Sequence, residues 1–107
     1  MTHKAVCSNG VLVDWFVPGA DKKEVLTANG NTFACNLSYT DCVNNNNKFY
    51  VMQIIKDGNN HSLFIRYGRI GVDGTVINKP YGSNSSAAIN EYNKTLRKKT
   101  NYGYTHV

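Results

Sequence analysis

The 107-residue sequence predicts an α+β domain: about five short antiparallel strands, with one amphipathic C-terminal helix packed on one face. Three observations predict it. Residues 48–55 and 62–67 are apolar and rich in strand formers. They are joined by Lys56-Asp57-Gly58-Asn59-Asn60, whose Gly and Asn tolerate the positive φ of a hairpin loop. Thr32–Tyr39 alternates Phe33, Cys35, Leu37 and Tyr39 with polar or small residues, the period of a half-buried strand. In the last third, Ala88, Ile89, Tyr92 and Leu96 form a single apolar stripe at helical spacing over about Ser85–Lys99.

Taken in order, residues 4–17 read as one strand and its continuation, interrupted by Ser8-Asn9-Gly10. Pro18-Gly19-Ala20-Asp21 is a turn, and Val25–Asn31 is a short segment closing on an Asn-Gly turn. Asn44–Asn47 reads as a loop that delivers Asn47 and Lys48 to a strand start. Asp73-Gly74 signals another hairpin turn before a strand at Thr75–Ile77, which Pro80-Tyr81-Gly82 breaks. Asn84 stands at the helix N-cap, without a Glu three residues on to complete a capping box. Lys94, Arg97, Lys98 and Lys99 crowd the last turns, where they suit the helix dipole. The same cluster is also what a solvated helix end looks like. No repeat or linker divides the chain, so residues 1–107 are expected to form a single domain.

Composition narrows the function. With 41% hydrophobic and 18% charged residues, the chain fits a globular class. No apolar run approaches the roughly 20 residues that span a bilayer, and no membrane partner is expected. Cys7, Cys35 and Cys42 are odd in number and form no CxxC pair, which fits buried free thiols in a reducing compartment. His3, His61 and His106 are scattered, so no metal site is expected, and nothing implies a cofactor. Asn-x-Ser/Thr triplets at Asn36, Asn60, Asn84 and Asn93 are expected by chance in so Asn-rich a chain. No catalytic pattern is present: no Ser/His/Asp order, no P-loop, no HExxH. The net charge of +5 is uneven. Residues 1–47 carry three Lys against four acids, −1, and residues 48–107 carry nine Lys/Arg against three acids, +6. A basic half suggests an anionic partner, nucleic acid being the commonest.

The candidate site is the open end of the central hairpin. There Asn47 and Lys48 come near Arg66, Tyr67 and Arg69, although some twenty residues separate them in sequence. An amide and a lysine can grip a phosphate, and an aromatic ring can stack on a base or sugar. The glycines of Tyr67-Gly68-Arg69-Ile70-Gly71 allow close approach. The competing reading makes Tyr67 a strand-end core residue, Gly68 a bulge and Arg69 a surface charge.

Tyr67-Gly68-Arg69-Ile70-Gly71 resembles the Trp-Gly-Arg-Val-Gly signature of the WGR domain of poly(ADP-ribose) polymerases. Asn45–Ile55 resembles the NNNKYY-x-x-QLL strand of that family, and Ser83–Thr100 its helix, ending in Lys99-Thr100. Gly10-Val11-Leu12-Val13-Asp14 resembles its early Gly-x-x-Val-Asp, and Tyr104 stands where a Trp is usual. The resemblance implies a non-catalytic, nuclear DNA-binding module that recognises 5′-phosphorylated break ends. It also implies contact with adjacent regulatory and catalytic domains of a parent polymerase, to which binding is relayed. Asn47 and Lys48 would meet the terminal phosphate, Tyr67 the sugar or base, and Lys99 a backbone phosphate. Arg66 would join the DNA contacts, and Arg69 would bridge to a neighbouring domain. The family's catalytic His-Tyr-Glu set has no counterpart in the chain. The signature Trp is Tyr67, a ring that stacks with less area and adds a hydroxyl. The alternative is an interdomain signalling module with little DNA affinity of its own.

Overall fold

The computed structural model describes residues 6–8, 11–14 and 16–107. In order these form β1 (Val6–Ser8), β2 (Val11–Val13), a 3-10 turn (Ala20–Lys22), β3 (Glu24–Val25), β4 (Thr27–Ala28) and β5 (Asn31–Thr32). Then follow β6 (Ala34–Asp41), β7 (Asn46–Asp57), β8 (Asn60–Arg69), β9 (Thr75–Gly82), α1 (Ser85–Tyr102) and β10 (Thr105–His106). The main sheet is antiparallel with order β10-β6-β7-β8-β9, and β3 pairs with β7 just past the stretch that β6 occupies. The α+β architecture expected from the sequence is present, with six strands in the main sheet among the described residues.

The sheet has an apolar layer on each face because β7 and β8 are buried on both. Residues 50, 52 and 54 of β7 and 63 and 65 of β8 turn one way. They meet Leu37 of β6 and the Ala88 and Tyr92 stripe of α1. Ile55 and Phe64 turn the other way, against Val13, Val17 and Val25. At 0% exposure for Met52, Ile54, Leu63, Phe64 and Ala88, the centre is dry. The side chain of Asn84 caps α1 by accepting from the Ala87 N–H at 3.0 Å.

Several details differ from the sequence expectation. In place of a strand and its continuation, β1 and β2 pair antiparallel with one another, Val6 opposite Val13. Residues 4, 5, 9, 10 and 15, Gly10 of the early motif among them, lie outside the described residues. Asn46 and Asn47 already belong to β7, because they find ladder partners in Asp41 and Thr40. Pro80 does not end its strand. β9 is an edge strand with β8 on one side only, so the missing N–H costs no ladder bond, and the register shift at His61/Ser62 absorbs the kink. Of the cysteines, Cys35 is buried as expected, whereas Cys42 is exposed in the turn before β7.

Gly74 fixes the return from β8 to β9. Its φ is +91°, and a Cβ there would lie 2.5 Å from the Tyr67 carbonyl oxygen and 2.7 Å from Phe49 Cζ. Gly74→Ala is therefore expected to destabilise the domain by about 2 kcal/mol, from left-handed strain plus a backbone contact that cannot yield. A chemical-denaturation midpoint unchanged by Gly74→Ala would contradict this.

Candidate functional site

The ladder between β7 and β8 decides which residues share a face. Lys48 stands opposite Arg69, and Tyr50 opposite Tyr67. On the other flank, Tyr39 stands opposite Lys48, and Leu37 opposite Tyr50. Two cross-strand rows result on the helix-bearing face: Tyr39, Lys48 and Arg69, then Leu37, Tyr50 and Tyr67. The helix adds Lys99, whose Nζ lies 4.7 Å from the Tyr50 ring centroid and 5.8 Å from that of Tyr104. Lys48 Nζ lies 5.9 Å from the Tyr39 ring. Among the described residues, Lys48, Arg69 and Lys99 make no salt bridge, although, after the Asn44 hydrogen bonds, the Lys48 charge helps to hold the Asp41 carboxyl low. Glu24 of β3, Asp14 after β2 and Glu91 of α1 pair instead with Lys56, Arg66 and Lys79.

The helix terminus delivers the last wall of the site. Gly103, at φ +133°, donates its N–H to the Lys99 and Thr100 carbonyls, and the Tyr104 N–H also donates to the Lys99 carbonyl, at 3.1 Å. This reversal sends the chain back to pair β10 with Leu37 and Ser38 of β6, and Tyr104 is buried beside Tyr39 and Tyr50. Tyr67 stacks on Tyr50 with centroids 5.9 Å apart, yet remains 38% exposed. Tyr67 is thus neither a core residue nor a free surface ring: one face rests on protein and the rest is open.

Burial pushes the Tyr50 phenol up to about 12, with the buried Cys35 and neighbouring tyrosines adding to the shift. Burial raises Tyr104 and Tyr92 in the same direction. A raised folded-state pKa contributes stability that is whole below the unfolded value of 10.0 and is lost as pH rises toward about 12. Urea midpoints are expected to be flat up to about pH 10 and then to fall, with a shallower fall in Tyr50→Phe. An equally steep alkaline fall in that variant would contradict this.

Asp41, at the edge of the site, has its carboxyl held below the usual range by hydrogen bonds, chiefly from the Asn44 side chain. Its oxygens accept from the Val43 and Asn44 N–H groups at 3.1 and 3.2 Å and from Asn44 Nδ2 at 2.9 Å. That ties the turn entering β7.

The sequence-predicted residues do not all meet. Lys48, Tyr67, Arg69 and Lys99 share the helix-bearing face. Asn47 alternates to the other face at the exposed end of β7, where its carbonyl accepts the Ile70 N–H at 3.0 Å. Arg66 also faces away. It makes a bidentate pair with Asp14, 2.9 Å at the shortest contact, and donates to the Asp73 carbonyl. Its guanidinium lies over the Phe16 and Phe49 rings at 4.9 and 5.1 Å. The sequence reading missed Tyr39 and Tyr50 as part of the site. The signal for Tyr50 was its ladder position opposite Tyr67, which a two-residue hairpin loop fixes.

Among the described residues, no group of His, Cys, Asp or Glu side chains is placed to hold a metal ion, and no helix is long and apolar enough to cross a membrane.

Residues 33–107 match the family described as the WGR domain. The chain is 31% identical over 104 residues to poly(ADP-ribose) polymerase 1 of Caenorhabditis elegans, covering 92% of this chain and 11% of that protein. It is 29% identical over 103 residues to poly(ADP-ribose) polymerase 2 of Arabidopsis thaliana, covering 92% of this chain and 16% of that protein. Over 70 residues it is 36% identical to protein mono-ADP-ribosyltransferase PARP3 of Homo sapiens, covering 64% of this chain and 13% of that protein. The chain thus spans less than a fifth of the length of each of these relatives.

Proposed function

The chain belongs to the WGR domain family, and on that premise we propose that it is a non-catalytic module that holds a 5′-phosphorylated DNA break end. In this reading it acts within a longer nuclear protein and relays binding to an ADP-ribosyltransferase region there. The observation that carries the reading is Lys48 in the row beside the half-open Tyr67, with Lys99 over the next ring. Cations that make no salt bridge suit phosphates, and an aromatic face suits a terminal sugar or base. Lys48 takes the terminal phosphate, while Asn47, on the opposite face, holds the strand end through its carbonyl bond from the Ile70 N–H. Tyr67 packs on the end, and Lys99 takes a phosphate further along. Arg66, occupied by Asp14, ties the N-terminal segment to the sheet rather than meeting DNA.

Arg69 has a different role. It stands exposed at the start of a loop whose Ile70 and Val72 are 59% and 58% exposed. A cation beside apolar side chains suits a protein neighbour better than a phosphate backbone. That observation favours an interdomain contact at Arg69, and it supports a second reading in which signalling between domains outweighs DNA affinity.

The test is the affinity of the chain for a 5′-phosphorylated blunt duplex against the same duplex closed by hairpin loops, across salt. Tighter binding to the open end that weakens as salt rises is expected, because phosphate contacts release counterions. Equal or salt-insensitive binding would contradict the reading. Tyr67→Trp is expected to tighten open-end binding by roughly threefold through added stacking area, and unchanged affinity would remove Tyr67 from the contact set.

A further inference from the structure

The tyrosines at the site form a chain of ring contacts longer than one DNA end needs. From Tyr67 it passes to Tyr50 at 5.9 Å, from Tyr50 to Tyr104 at 6.0 Å, and from Tyr104 to Tyr102 at 6.0 Å. The middle rings are buried, but the two ends are open: Tyr67 is 38% exposed and Tyr102 63%. Tyr102 leans on Tyr39 at 5.3 Å, so its position is fixed although most of its surface faces solvent. Two lysines of the site that make no salt bridge lie along this chain, Lys99 over Tyr50 and Tyr104, and Lys48 over Tyr39. Two open rings with cations between them are the arrangement that holds single-stranded nucleic acid, bases on the rings and backbone over the charges.

We infer that Tyr102 is a second stacking platform, which takes an unpaired nucleotide of a 3′ single-stranded extension at the DNA end held by Lys48 and Tyr67. The inference rests on the end-binding reading above. Polarity follows from the anchor. A strand whose 5′-phosphate is fixed at Lys48 stops there, so only the complementary strand, through its 3′ terminus, can continue across the wall toward Tyr102. Stacking does not discriminate between bases, so the extension is recognised without sequence preference.

The experiment compares two 5′-phosphorylated duplexes, one blunt and one with a short 3′ extension on the complementary strand. Each is titrated against the wild-type chain, Tyr102→Ala and Tyr102→Phe. The wild type is expected to bind the extended duplex about fivefold or more tightly than the blunt one, as one stacked base contributes. Tyr102→Ala is expected to abolish that preference while leaving blunt-end affinity within about twofold, and Tyr102→Phe to retain it. Equal wild-type affinity for the two duplexes overturns the inference while leaving end binding intact. So does a parallel loss on both duplexes in Tyr102→Ala. Absence of wild-type binding to either duplex overturns the end-binding reading and this inference together.

Discussion

Asp14→Ala is expected to destabilise the domain by about 3 kcal/mol, because it leaves the Arg66 guanidinium largely desolvated without its carboxylate. The two side chains are 7% and 18% exposed and share a bidentate contact. The Asp14 carboxylate also accepts the Phe16 N–H at 2.9 Å, and the Asp14 backbone N–H donates to Oε1 of the Gln53 side chain at 3.0 Å. The segment that covers Phe64 and Ile55 is therefore pinned at this one residue. Arg66 keeps its bond to the Asp73 carbonyl and its place over Phe16 and Phe49, which holds the loss to the lower part of the range for a broken buried pair. Urea denaturation measures it. Replacing both partners with apolar residues, Asp14→Ala with Arg66→Met, is expected to recover much of the loss, since no charge is then left unpaired. A loss below about 1 kcal/mol for Asp14→Ala, the size of an exposed pair, would contradict the account of this face. Arg66→Ala is expected to lower stability in the same way without altering DNA-end affinity while the chain is folded.

Lys48→Ala is expected to weaken binding to 5′-phosphorylated ends by about tenfold or more, the size of a charge-assisted hydrogen bond to phosphate. The ammonium group is placed by two neighbours. Tyr39 lies under it at 5.9 Å, and Arg69 stands opposite it in the ladder. Arg69 adds positive potential from the adjacent strand, so a dianionic terminal phosphate is expected to be favoured over a hydroxyl. Lys48→Arg keeps the charge but replaces a compact donor with a planar fork, and an intermediate loss is expected.

Much of this geometry was legible in the sequence. The hairpin itself was plain, but not its register. The sequence reading spread the turn over residues 56–60, whereas the ladder closes at Asp57 against Asn60. Only that two-residue loop puts Tyr50 opposite Tyr67 and Lys48 opposite Arg69. The helix stripe at Ala88 and Tyr92 was plain from its spacing, and both residues are buried. Side-chain alternation would also have parted Arg66 from Tyr67, since neighbours in a strand face opposite ways. Grouping them by sequence proximity hid the partner, Asp14, which is 52 residues away and could not be read from pattern. The pairing of β10 with β6 was out of reach for another reason: two residues carry no periodicity, and their place is set by the chain reversal at Gly103. Pro80 misled because Pro ends a strand only where its N–H is needed, and edge position is a property of topology.

Lys48 and its neighbours are proposed to read a 5′-phosphate. The most direct measurement is the affinity for otherwise identical blunt duplexes bearing a 5′-phosphate or a 5′-hydroxyl, in the wild type and in Lys48→Ala. The account predicts that the wild type binds the phosphorylated end about tenfold more tightly and that Lys48→Ala binds both alike. A phosphate preference that survives intact in Lys48→Ala, or a wild type indifferent to the phosphate, would contradict it.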